Sequence, residues 1–176
     1  LSDWTASGVE TLDLTRVNSN LKGFAGGFTD GNHAYLVPLA NHGYHGNVVR
    51  ISLSDWTASG VESVDLTTVN SGLKGFTDGF TSGSYAYFSP YHDGSSGHHG
   101  RVVRVSTSDF TTSGVEYLDL ATVSSDLKGY RGAFTDGSYA YFVPWARGYN
   151  YHGKAVLVSL SDWTASGVEI LNLATV

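Results

Sequence analysis

The chain has no cysteine and no methionine among its 176 residues. Without cysteine there are no disulfides, and cysteine usage says nothing about the redox compartment. Position 1 is Leu, so the sequence reads as a processed form, a fragment or part of something longer, and a removed secretion signal fits. Proline occurs only three times, and charged residues make up 15% of the chain with a net charge of −6. That balance argues against nucleic acid or an anionic membrane as a partner. No stretch approaches the ~18 apolar residues of a membrane-spanning helix. Glycine, by contrast, occurs 22 times, alongside many Val, Thr, Tyr and Phe. This mixture favours strands and tight turns. The length suffices for one domain with a sizeable core.

Internal repetition dominates the sequence. The segment LSDWTASGVE stands at 1–10, 53–62 and 160–169, and TSDFTTSGVE is a relaxed copy at 107–116. A Leu-Lys-Gly step comes after it at Leu21, Leu73 and Leu127, then a turn ending at Gly31, Gly83 and Gly137. Next come Pro38, Pro90 and Pro144, and a His-Gly pair at His45, His99 and His152. The repeats are thus 1–52, 53–106 and 107–159, with a partial fourth at 160–176. Only the proline-to-histidine spacing varies, which marks a surface loop on an otherwise constant scaffold.

Each unit reads as four strands with period-2 alternation. In the first copy these are Val9–Leu14, with Leu12 and Leu14 on one face; Phe24–Thr29, with Phe24 and Phe28 on one face; Ala34–Val37; and Val48–Ser52. An Asp-Gly turn, with Ser82-Gly83 in the middle copy, joins the second strand to the third. The expected class is all-β: three tandem four-stranded antiparallel repeats resembling propeller blades, plus a surplus strand. The alternative is a β-trefoil.

The surplus matters for function. Three units need three LSDW-type strands, and the chain carries four. Either a terminal copy is donated to a neighbour, which propagates into a filament, or the chain is cropped from a longer array. In both cases adjoining repeats need one another to bury their faces.

The runs FTDGSYAYFVP and HGKAVLVSLSDWTASGVE resemble tandem repeats of uncharacterised secreted or surface proteins of algae and environmental microbes. They are also similar to subunits of extracellular protein fibrils. The resemblance spans the whole chain and implies an extracellular or cell-surface location. It carries over no catalytic residues.

Candidate chemistry is sparse. The recurring histidines, with His42, His92 and His98 nearby, invite a metal, but the third loop offers only His152 where about four ligands are wanted. A turn with locally bonded histidines explains the pair better, and no metal or cofactor is expected. Tyr44, Tyr91, Trp145, Tyr149 and Tyr151, with His45, His99 and His152, form loops of the kind that stack on sugars, or that make a subunit contact. Asp3, Asp55, Asp109 and Asp162 read as turn-formers, and the adjoining Trp4, Trp56, Phe110 and Trp163 as loop anchors. The repeated lysines and glutamates suggest an inter-repeat ion pair. Carboxylates repeat with the scaffold, whereas an active site needs unlike groups converging once, so an enzyme is not expected.

The sequence therefore points to a structural, self-assembling extracellular protein that forms a helical fibril through end-to-end contacts and a donated terminal strand. Its candidate interface residues are Leu1, Trp4, Val9, Leu12, Leu14, Trp163, Val168, Ile170, Leu171 and Leu173. Its expected partner is itself. The alternative is a lectin-like module that binds glycans through the proline-to-histidine loops.

Overall fold

A computed structural model describes residues 6–95 and 97–175. The interface candidates Leu1 and Trp4 lie outside those residues. The fold is all-β, with three open four-stranded antiparallel sheets and one small hairpin. The first sheet runs β1 (Phe24–Thr29), β2 (His33–Pro38), β3 (Asn47–Ser52) and β4 (Val61–Asp65). The second runs β5 (Phe76–Ser82), β6 (Tyr85–Pro90), β7 (Arg101–Ser106) and β8 (Val115–Asp119). The third runs β9 (Tyr130–Thr135), β10 (Tyr139–Pro144), β13 (Lys154–Ser159) and β14 (Val168–Asn172). The hairpin β11 (Ala146–Arg147) and β12 (Asn150–Tyr151) sits in the third variable loop. No sheet closes into a barrel, so the trefoil alternative is excluded.

Sheet and sequence repeat are offset by one strand. Each sheet takes the last three strands of one copy and the GVE strand of the next. The fourth copy is therefore at home as β14, paired along β13 from Lys154↔Asn172 to Val158↔Val168. The surplus copy is the first. Its expected strand at Val9–Leu14 does not form: the segment lies between two short 3-10 turns, Ala6–Gly8 and Leu14–Arg16, with no ladder partner. The reason is physical, because this segment pairs with a preceding sheet in every other copy.

Sheets stack face to face. Tyr35, Val37, Val48 and Val64 of the first sheet, with Leu66 just after it, meet Phe76, Phe88, Val103 and Val105 of the second, all buried. Phe80, Tyr87, Val102 and Leu120 of the second meet Tyr130, Phe142, Val156 and Val158 of the third in the same way. A third cluster, Leu21, Val49 and Ile51, lies on the opposite face of the first sheet, with Leu12 and Leu14 against it.

Phe24 and Phe28 do not share a face. Pairing slips between Phe24↔Pro38 and Gly26↔Val37, and this bulge turns Phe24 to the outer cluster and Phe28 to the inter-sheet core. The same slip recurs in β5 and β9. It lets each repeat send one ring to either neighbour.

The turns agree with the sequence. Asp30 Oδ1 accepts hydrogen bonds from the Asn32 and His33 amides at 2.8 and 2.7 Å, and Asp136 does the same for Ser138 and Tyr139 at 2.8 and 2.9 Å. In the middle copy Ser82 replaces the aspartate, and the loop tightens to Gly83-Ser84. Gly129 must be glycine: its φ is +71°, and a Cβ would stand 1.8 Å from the Ala146 carbonyl oxygen.

Candidate functional site: the end faces of the sheet stack

The His-Gly pair is a clamp. His45, His99 and His152 each accept a backbone N–H at Nδ1, from Asn47 (3.3 Å), Arg101 (3.3 Å) and Lys154 (3.4 Å). An amide can only donate there, so the ring proton sits on Nε2. It points at the carbonyl of Gly23 (3.1 Å), Lys74 (3.0 Å) or Lys128 (2.8 Å). Each ring also meets Phe24, Phe76 or Tyr130 edge-on. Nδ1 is thereby engaged two residues ahead, as a local turn requires, while Nε2 reaches back 22–25 residues to just before the same repeat's second strand. Burial, with the nearby Arg101 charge, lowers the His99 pKa to about 4. His92 and His98 also accept amides at Nδ1, from Gly94 and Gly148. Among the described residues no three His, Asp or Glu side chains gather as a metal site.

The variable loops interlock instead of standing free. Tyr44 of the first loop stacks on His92 of the second, with centroids 4.7 Å apart. Tyr91 meets His98 edge-on at 5.0 Å, and His98 accepts the Gly148 amide of the third loop. His99 is 3% exposed, so the second loop is not the plain surface loop its variable length implied. Only the third loop keeps open aromatics: Tyr149 fully, Tyr151 largely, and Trp145 against Tyr151 and beneath Arg131.

Aromatic anchors join consecutive sheets. Phe110, from the β7–β8 loop, lies edge-on to Tyr35 and under the Arg50 guanidinium, 4.4 Å from its ring centre. Trp163, from the β13–β14 loop, meets Tyr87 and Arg104 likewise. Each arginine also pairs across its own sheet: Arg50 grips Glu62 with two bonds of 3.0 Å, and Arg104 reaches Glu116 at 2.8 Å. Glu62 and Glu116 thus pair with arginines and not with the repeated lysines, and each pair lies within one sheet while joining two consecutive sequence repeats. The arginines were missed in the sequence, although Arg50–Glu62 and Arg104–Glu116 share one spacing. The third repeat breaks it, with Leu157 opposite Glu169.

One backbone bond completes each junction. Gly75 N–H donates to His45 C=O at 3.0 Å, and Gly129 N–H donates to His99 C=O at 3.1 Å. The corresponding groups at the two ends, Gly23 N–H and His152 C=O, have no such partner among the described residues.

The outer face of the third sheet is an apolar hollow lined by Phe134, Tyr141, Val143, Leu157, Leu171 and Leu173. Phe134 is 55% exposed, Leu171 56% and Leu173 50%. Of their equivalents, Phe80 and Leu120 are buried under the third sheet and Leu118 is half-buried there. Of the remaining interface candidates, Trp163 and Val168 pack within the chain. Ile170 pairs with Val156, on the side turned to the second sheet. Val9 is 67% exposed, and Leu12 and Leu14 are half-buried on the first sheet.

No protein-family model matches this chain, and no curated protein matches it. Its fold has solved counterparts. A chain of Kuenenia stuttgartiensis hydrazine synthase superposes with a TM-score of 0.55 at 12% identity. The match covers 81% of this chain and 35% of that one, so this chain spans about a third of its counterpart. At that identity the likeness concerns the fold alone.

Proposed function

We propose that the protein is a structural, self-assembling component of the extracellular space, whose copies stack head to tail into a fibril. One observation carries this reading: the chain displays both halves of its own inter-sheet junction. The outer face of the third sheet repeats the faces of the first and second sheets that are covered by their neighbours. The first sheet carries Phe24, Leu36, Val49, Ile51 and Trp56, the repeat equivalents of the covering side, with Leu12 and Leu14 of the same chain packed against them. His152 C=O and Gly23 N–H, which among the described residues lack the bond their counterparts make, match in the same sense. Stacking of this heterologous kind does not close on itself.

Donation of the C-terminal copy as a bridging strand is not favoured by the geometry, because that copy already completes its own sheet as β14. Lectin-like binding draws support only from Trp145, Tyr149 and Tyr151, since the first two loops spend their aromatics on each other. The test is electron microscopy of the purified chain across a concentration series. Filaments that lengthen with concentration are expected, and single particles throughout would overturn the reading.

A further inference from the structure

We infer that residues 6–17 are an exchangeable cap on the first sheet, displaced by the C-terminal segment of a second copy when two chains stack. The inference rests on the assembly reading above and adds the step that assembly requires. Leu12 and Leu14 stand against Leu21, Val49 and Ile51 of the first sheet. In the next junction Val64 and Leu66, at the same repeat positions, stand against Val103 and Val105. In the one after, Leu118 and Leu120 stand against Val156 and Val158. The fourth occurrence of the pair is Leu171 and Leu173, exposed on the outer face of the third sheet. Bringing that face onto a second copy delivers Leu171 and Leu173 to the seats that its Leu12 and Leu14 already hold. One pair has to leave.

Backbone bonding decides which. β14 is laddered along β13 through five residue pairs, and Leu173 N–H donates to Gly153 C=O at 2.8 Å. Residues 6–17 have no ladder. Bonds within the segment and its turn hold it, as from the Thr15 amide to Asp13 Oδ1 at 3.0 Å and from Val17 N–H to Leu14 C=O at 3.0 Å. Lifting them away exposes two half-buried leucines and breaks no strand pairing, whereas releasing β14 dismantles a sheet edge. In isolation the segment shields part of an apolar face that otherwise associates without control.

Light scattering against concentration compares the whole chain with a variant lacking residues 1–17 and with the double variant Leu12→Asp, Leu14→Asp, which keeps the length but loosens the cap. Both variants should assemble at severalfold lower concentration than the whole chain. Equal thresholds would overturn the cap while leaving head-to-tail stacking intact. Loss of assembly in the variant lacking 1–17 would make the segment a bridge, which overturns the cap differently. Absence of assembly in all three would overturn a second copy as the occupant. Hydrogen exchange on assembled whole chain gives an independent check: amides of 9–17 should exchange fast while those of 168–172 stay protected. The reverse pattern would mean that β14 is the segment displaced.

Discussion

His99 links the clamp to a measurable pH dependence. Its ring is 3% exposed, donates from Nε2 to the Lys74 carbonyl, and accepts the Arg101 amide at Nδ1. A second proton would have to enter at Nδ1, against that amide and without solvent. Burial is the main reason its pKa falls from 6.5 to about 4, with the Arg101 charge adding to it. The unfolded chain therefore binds the proton more readily than the folded one. Stability from this group is complete above pH 6.5, falls as the pH drops towards 4, and changes no further below that. The full loss is about 3 kcal/mol, of which about 2 kcal/mol is reached by pH 5. Urea unfolding followed by tryptophan fluorescence, at concentrations where the chain is dispersed, measures it at pH 7.5 and 5. In His99→Gln the amide can still donate to Lys74 C=O but does not titrate, so the pH-dependent loss should shrink by about 2 kcal/mol. Carboxylates contribute equally to both proteins and cancel. Identical pH dependence in the two would refute the claim that this histidine is held neutral by burial.

Two paired substitutions test the repeat logic. Phe80 and Phe134 occupy one repeat position, but only Phe80 is covered by a further sheet. Phe80→Ala should cost about 3–5 kcal/mol in the dispersed chain and Phe134→Ala under about 1 kcal/mol, as read by urea unfolding. Similar costs would mean that covering by the third sheet is not what distinguishes Phe80 from Phe134. Gly129 and Gly137 both have positive φ, but only at Gly129 would a Cβ strike backbone. Gly137→Ala should cost about 1 kcal/mol, and Gly129→Ala clearly more, measured as a difference in thermal midpoint.

The repeat, the strand count per sheet and the turns were legible because identical segments at fixed spacing leave few alternatives. The Asp-Gly turns and the histidine turn could be read from residue type alone. Two features could not. Phe24 and Phe28 have spacing that implies a common face, and only a bulge at that point separates them. The pairing of the GVE strand with the preceding repeat rather than its own was also hidden, since both connections are short. A cue existed: Asp65 and Asp119 cap a 3-10 turn directly after this strand, which separates it from the remainder of its own repeat. The end face of the third sheet was partly visible through Leu171 and Leu173. The arginine–glutamate pairs went unread because their spacing acquires meaning only once β3 and β4 are known to lie side by side.

The central claim is that the outer face of the third sheet is one half of a junction between copies. Leu171→Glu places a charge there at a position already half exposed, so the isolated chain should keep its fold and its unfolding midpoint. Electron microscopy of this variant beside the unaltered chain is the most direct test. The account predicts filaments from the unaltered chain and only single particles from Leu171→Glu. Filaments of the same form from both would contradict it.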